Sequence, residues 1–253
     1  MNKTLGIIRA SILGLLGKKN VGRLDYLLKR KPKDPFGGPL NGQTFRQRIY
    51  ADIMDRMDFK AIVETGTFRG TTTEFFAKSG LPVYSVEIDD RAYGYASQRL
   101  SRQRDRVRLF QGSSPEFLKG LAERLDFPKS RVFFYLDAHV QDSSRYHKAP
   151  LVEELEIIFT KWTEAVVMVD DFQVPGTAYS FDDWGPGRSL SLECLNPLRH
   201  LDLSAFFPSV GPKHETGARR GWVVLCRDEN VVRILSNIER LLPVNSHKLL
   251  PNQ

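Results

Sequence analysis

Three aspartates in this 253-residue chain stand where parallel sheets do their chemistry. Asp137 follows the apolar run 131–136, and Asp170 and Asp171 follow the run 165–169. If those runs are neighbouring strands, three carboxylates converge on one small crevice. Desolvated carboxylates repel and raise one another's pKa unless a cation offsets them. A compact all-oxygen set suits Mg2+ better than Zn2+, which favours nitrogen and sulfur. The expected metal ligands are therefore Asp137, Asp170 and Asp171. The competing expectation is that Asp170 or Asp171 caps a turn, a common role after a strand.

A second constellation lies earlier in the chain. The run Val63-Glu-Thr-Gly-Thr-Phe-Arg-Gly70 is followed by Thr71, Thr72 and Thr73. Gly66 and Gly70 permit a tight strand-to-helix turn and close approach of a ligand to the backbone, with Thr67 and Thr71 beside them. The spacing is not the G-x-G-x-x-G of a dinucleotide site. S-adenosylmethionine has no pyrophosphate to cradle; its methionine end carries an ammonium, which Glu64 can hold at the strand end. Glu87, followed by Ile88 and Asp89, comes about twenty residues after that turn, where an acid can accept both ribose hydroxyls. Gly112 and Ser113 end a third run and are small enough to border an adenine. Asp137 would face the same crevice.

The elements that must position these residues alternate regularly. Apolar runs at 61–65, 83–87, 107–110, 131–136 and 165–169 are separated by helical stretches near 72–79, 90–102, 115–125 and 150–161, with a helix near 44–56 ahead of them. Short β-branched runs separated by helices of about ten residues indicate βαβ units and a parallel sheet covered on both faces. After residue 200 the runs 204–207 and 221–226 have no helix between them and read as an antiparallel hairpin with a long loop. The expected fold is α/β: a doubly wound, mostly parallel, seven-stranded Rossmann-like sheet closed by a C-terminal antiparallel hairpin. The segment 179–188, rich in aromatics, acids and glycines, is either a lid over an acceptor or packing against Phe172. Arg219 and Arg220 could bind an anionic acceptor, occupy a solvated turn or make a subunit contact.

In this order and on successive strand ends, the motifs resemble the class I S-adenosylmethionine-dependent methyltransferases over about residues 60–227. Ser113 departs from the acid that many of those enzymes carry after the third-strand glycine. The aspartates are similar to those of catechol O-methyltransferase-type enzymes and closer to the macrocin O-methyltransferase group with its cephalosporin-biosynthesis relatives. That resemblance implies Mg2+ at Asp137, Asp170 and Asp171. It also implies O-methylation of a small hydroxylated acceptor, such as the sugar of a natural product or glycan. The catechol group's lysine is Val140 here, so His139 becomes the candidate base, with a structural or substrate-orienting histidine as the alternative. Other readings are a non-catalytic S-adenosylmethionine-binding or membrane-associated partner protein on the same fold, or a related enzyme with a different reaction.

Composition sets the outer limits. The net charge of +7 resides in an arm: residues 1–33 hold nine lysines and arginines against Asp25 alone, and the rest is nearly neutral. No nucleic-acid-binding face is expected on the body. The arm's apolar run, 5–16, is shorter than the roughly 20 residues that span a bilayer. Its expected roles are peripheral contact with an anionic membrane through residues 1–33, or packing on the body or on a second subunit in a homo-oligomer. Residues 32–43, dense in Pro and Gly, read as a linker. The expected layout is an arm and linker over 1–43, the catalytic domain over 44–245 and a tail over 246–253. Cys194 and Cys226 lack metal spacing, which suits a reducing, cytoplasmic setting.

Overall fold

A computed structural model of the chain describes residues 17–29, 32–138 and 150–244. Its centre is one eight-stranded sheet in the order β3-β2-β1-β4-β5-β7-β6-β8. The strands are β1 Ala61–Thr65, β2 Val83–Glu87, β3 Val107–Gln111, β4 Val132–Leu136, β5 Val166–Asp170, β6 Ser204–Pro208, β7 Trp222–Cys226 and β8 Leu241–Val244. The first five are parallel, and β7, β6 and β8 are added antiparallel. Every residue of β1, β2, β4, β5 and β7 is buried, as continuous apolar strands covered on both faces must be.

Alternation along the strands divides the core in two. Val63, Phe134, Leu136 and Val167 face α5 (Ser114–Glu123) and α6 (Leu151–Lys161). Ile62, Phe133, Tyr135 and Met168 face α2 (Thr44–Arg56), α3 (Thr71–Phe76) and α7 (Glu229–Ser236). The helix α4 (Asp90–Arg99) follows β2 and puts Ala96 into the second core. The strand order turns back between β1 and β4, which creates the crevice where open α/β sheets bind ligands.

Three regions differ from the sequence expectation. The sheet has eight strands, not seven, because Leu241–Val244 pairs with β6 at the edge. Residues 32–43 are not a free linker. They form two 3-10 turns, Pro35–Gly37 and Pro39–Gly42, pressed onto the body as a strap. Leu40 is fully buried and donates its backbone N–H to Thr72 Oγ1, and Gln43 spans to both backbone groups of Arg220. The described part of the arm is likewise docked. Residues 17–27 are helical (α1) and cross α4 with backbone against backbone. A Cβ on Gly22 would fall 1.9 Å from the Arg91 carbonyl oxygen, and one on Gly94 would fall 1.9 Å from that of Lys19. Asp25 pairs with Arg91 at 2.6 Å, and Tyr26 packs edge-on against Tyr95. This is the packing alternative for the arm. Residues 1–16 lie outside the described residues, and the membrane expectation rests largely on them. Among the described residues, no helix is long and apolar enough to cross a membrane.

Candidate active site

The turn after β1 is built from its glycines. Gly66 has φ 84°, and a Cβ there would lie 2.1 Å from the Asp137 carbonyl oxygen, so only glycine lets the loop lie against the end of β4. The backbone N–H groups of Gly66 and Thr67 both donate to Val86 O, and Gly70, also left-handed, leads into α3. The three following threonines diverge. Thr71 and Thr72 tie the strap down, through Lys33 O and Leu40 N respectively. Thr73 donates inward to Glu64 Oε2, as does Ser85.

Glu64 is buried beneath the loop with two hydroxyl donors on Oε2, and burial pushes its carboxyl up to about 7. It does not line the cavity described below, and through Thr73 and Ser85 it ties α3 and β2 to β1. Glu87 ends β2 beside the loop. Its two oxygens accept from Phe68 N at 2.6 Å and Asp89 N at 2.7 Å, which fixes the carboxylate at the rim of the loop with acceptor capacity left over. Burial raises its pKa, against those two hydrogen bonds. Ile88 is exposed. Gly112 donates its N–H to Glu87 O, and a Cβ on it would meet nothing within 4 Å. Ser113 precedes α5 without capping it. Glu87, Ile88, Gly112 and Ser113 thus share the open ends of β2 and β3.

A cavity of about 210 Å³ lies over the ends of β1, β4 and β5, lined by Gly66, Thr67, Thr71, Asp137, Asp171, Asp182 and Arg220. Phe36 and Asn41 of the strap close its other side. Asp137 makes no side-chain hydrogen bond within the described residues. Burial, with repulsion from Asp170 and Asp171, puts its carboxyl well above the usual carboxylate range. Asp171, held at φ 53°, accepts from Arg220 Nε, and Arg220 also reaches Asp182. Burial and the charge of Asp170 still push Asp171 up to about 7.

The expected metal ligands do not fit a metal. Asp170 and Arg46 form an ion pair at 2.7 Å with both side chains fully buried. Asp170 Oδ1 also accepts from the Asp171 backbone N–H, and Oδ2 accepts from the Tyr135 hydroxyl and from Asn41 Nδ2 at 3.0 Å. A carboxylate offers about four acceptor positions, and all are taken. Although burial opposes its charge, Arg46 and these hydrogen bonds hold Asp170 below its ordinary pKa. Among the described residues, no three His, Cys, Asp or Glu side chains are arranged to hold a metal ion. Asp137 and Asp171 meet at the cavity as expected; Asp170 is turned into the core behind them. His139, the candidate base, lies outside the described residues.

Of residues 179–188, Tyr179 to Asp182 are tied to the body, whereas Pro186, Gly187 and Arg188 at the tip are exposed. Tyr179 is buried, its hydroxyl donating to Val210 O, and Asp182 bonds to the Asp171 backbone as well as to Arg220. Sequence reading missed Arg46, Asn41, Tyr135 and Asp182. One signal was present: Arg46 sits on the same stripe of α2 as Ile49, Tyr50 and Ile53, where a charge at a core position demands a partner.

No family model and no curated protein sequence matches this chain. Its architecture is similar to solved structures. One is the O-methyltransferase TomG from Streptomyces achromogenes, involved in tomaymycin synthesis and solved with SAM. It is 17% identical over 73% of this chain and 79% of that one, with a TM-score of 0.51. Another is an O-methyltransferase from Bacillus cereus in complex with SAH, 17% identical over 73% and 80%, with a TM-score of 0.47. The fold is that of a class I methyltransferase. The cavity lies on the β1, β4 and β5 side of that fold; Glu87, Ile88, Gly112 and Ser113 stand at the neighbouring ends of β2 and β3 and do not line it.

Proposed function

We propose that this chain transfers a methyl group from S-adenosylmethionine to an oxygen of a small hydroxylated acceptor. The observation that carries the reading is the cavity over the glycine turn. Gly66 and Thr67 line it beside Asp137, which has no partner among the described residues, and beside Asp171 and Asp182, which are paired with Arg220. A turn that lets a ligand approach the backbone, next to a carboxyl free to exchange a proton, suits the methionine end of S-adenosylmethionine and an acceptor hydroxyl. Likeness in fold to an O-methyltransferase solved with SAM supports the same reading.

The residues divide the work by strand. Glu87 would accept the ribose hydroxyls, with Ile88, Gly112 and Ser113 bordering the adenine. Gly66, Thr67, Gly70 and Thr71 would shape the methionine end. Bound there, S-adenosylmethionine supplies a methyl group on a good leaving group. Asp137, on the β4/β5 side, would orient the acceptor hydroxyl and take its proton. A carboxyl with raised proton affinity suits that task better than an ordinary one. Fixed groups of this kind act by holding the reacting atoms in line. The sugar of a natural product or glycan remains the favoured acceptor class, on resemblance alone.

Calorimetry with S-adenosylhomocysteine, paired with a turnover assay, tests the reading. Binding near the micromolar range is expected, about −8 kcal/mol at 1 μM. Glu87→Ala should weaken it by about 1.5–3 kcal/mol, the range for hydrogen bonds to a charged group. Asp137→Asn should keep S-adenosylhomocysteine affinity within several-fold and lower turnover by about 10²-fold or more. Tight NADH binding with no affinity for S-adenosylhomocysteine would overturn the proposal.

A further inference from the structure

Resting on the reading that this crevice is the methyl-transfer site, we infer that its resident cation is Arg46, a guanidinium built into α2, and that acceptor recognition needs no divalent metal. Three aspartates at adjacent strand ends require a positive charge, and the fold supplies it covalently. Arg46 is fully buried, 2.7 Å from Asp170, with its guanidinium against the rings of Tyr135 at 5.3 Å and Trp222 at 5.8 Å. Asp170 answers with every acceptor position filled, by Arg46, the Asp171 N–H, Tyr135 and Asn41.

A divalent ion entering here would have to evict a buried guanidinium or accept it as a neighbour of like charge. Mg2+ also demands near-octahedral oxygen ligation. Asp171 is committed to Arg220, leaving Asp137 as the one carboxylate facing the cavity without a partner among the described residues. Among the described residues, one free carboxylate does not make a metal site.

The arrangement bears on substrate class. A metal held at a strand end favours an acceptor with two adjacent oxygens that chelate it. Here the cation lies behind Asp170, out of reach of a ligand, so the acceptor is held by hydrogen bonds to Asp137 and to the Asp171–Arg220–Asp182 array. A single hydroxyl suffices, and a vicinal diol gains nothing. Arg46 is then a positioning residue: it keeps Asp170 ionised, and Asp170 in turn holds Tyr135 and the strap's Asn41.

Mn2+, a spectroscopic stand-in for Mg2+, tests this through the electron paramagnetic resonance signal of the free ion. The full-length protein is titrated with and without S-adenosylhomocysteine. No stoichiometric site tighter than the millimolar range is expected. Arg46→Met unmasks Asp170 beside Asp137 and Asp171, so it should bind Mn2+ at least tenfold more tightly than the unaltered protein. Arg46→Met combined with Asp170→Asn should lose that gain. Stoichiometric micromolar Mn2+ binding to the unaltered protein, weakened by Asp170→Asn, would overturn the inference. So would a soluble Arg46→Met protein with no gain. If Arg46→Met does not fold, the titration of the unaltered protein decides. S-adenosylhomocysteine calorimetry on the same samples reports separately on the methyltransferase reading, because neither result depends on the other.

Discussion

Glu64 and Asp170 are both fully buried carboxylates at the C-terminal ends of parallel strands, yet they are stabilised in opposite ways. Glu64 receives only neutral hydroxyls, from Thr73 and Ser85, and its carboxyl rises to about 7. Asp170 receives a guanidinium along with three further donors, and its pKa falls. Hydroxyls that donate to a buried acid do not restore the solvation it has lost, whereas a buried opposite charge can. The β1/β2 side of the crevice is therefore a proton-holding region, and the core behind β4/β5 is a fixed ion pair. The two should respond differently to mutation and to pH.

The largest effect is expected from breaking the ion pair. Arg46→Met leaves Asp170 buried without its counter-charge, which typically costs about 3–5 kcal/mol. Urea unfolding near pH 7 should show that loss, and adding Asp170→Asn should recover a substantial part of it. Equal losses in the single and double variants would mean that Arg46 acts by packing alone.

A smaller and pH-dependent effect is expected at Glu64. Its folded pKa lies above the ordinary value, so the folded state holds the proton more tightly. Stability falls as pH rises from about 4.5 to about 7 and is not regained above that. Glu64→Gln removes this slope. The variant should be more stable than the unaltered protein at pH 8, by at most about 3.4 kcal/mol given about 1.36 kcal/mol per pKa unit, and close to it at pH 5. Asp170 carries the opposite sign: its contribution is present above its unfolded pKa and is lost as pH falls through the lower folded value. A chemical-denaturation series from pH 3 to 8 would resolve both limbs. A Glu64→Gln advantage that is constant across pH would refute the account of Glu64.

The smallest effect sharpens the comparison donor by donor. Tyr135→Phe removes one hydrogen bond to an ionised acid and should cost about 1.5–3 kcal/mol. Thr73→Val removes one from an acid that is partly neutral near pH 7 and should cost about 1 kcal/mol. Similar losses measured by thermal unfolding at pH 7 would indicate that both acids carry the same charge.

The parts of this architecture that depend on local sequence could be read in advance. β1 to β5 announce themselves as β-branched runs between helices of about ten residues, and β6 and β7 as a pair without a helix between them. The placing of Gly66, Asp137 and Asp171 at the cavity, and of Glu87 and Gly112 at neighbouring strand ends, follows from where they stand in those runs. What escaped depends on partners distant in the chain. Asp170 looks like Asp171 in sequence, and only Arg46, 124 residues earlier, turns it from a ligand into half of a buried pair. Glu64 looks like an acid at an open strand end until alternation on β1 sets it beside Ser85 and Thr73. The strap resembles a linker because Pro and Gly dominate it, and its contacts with Thr72, Asp170 and Arg220 run through backbone groups and amides that carry no hydrophobic pattern. β8 is a four-residue edge strand containing Pro243, which suits an edge and weakens any strand signal.

The crossing of α1 on α4 has a practical consequence for shortened versions of this protein. Gly22 and Gly94 each bring main-chain atoms of the other helix into contact, so the crossing is sensitive to any added methyl, with the Asp25–Arg91 ion pair beside it. The segment it anchors continues into the strap, where Asn41 supplies a donor to Asp170 and Gln43 fastens Arg220. A truncation that starts at residue 44, which composition alone would recommend, would remove Asn41 and Gln43 along with the basic tail. It would leave the buried ion pair one donor short and the cavity open on its strap side. Lysine and arginine substitutions that neutralise the arm while sparing Gly22 would separate the two roles that a deletion confounds.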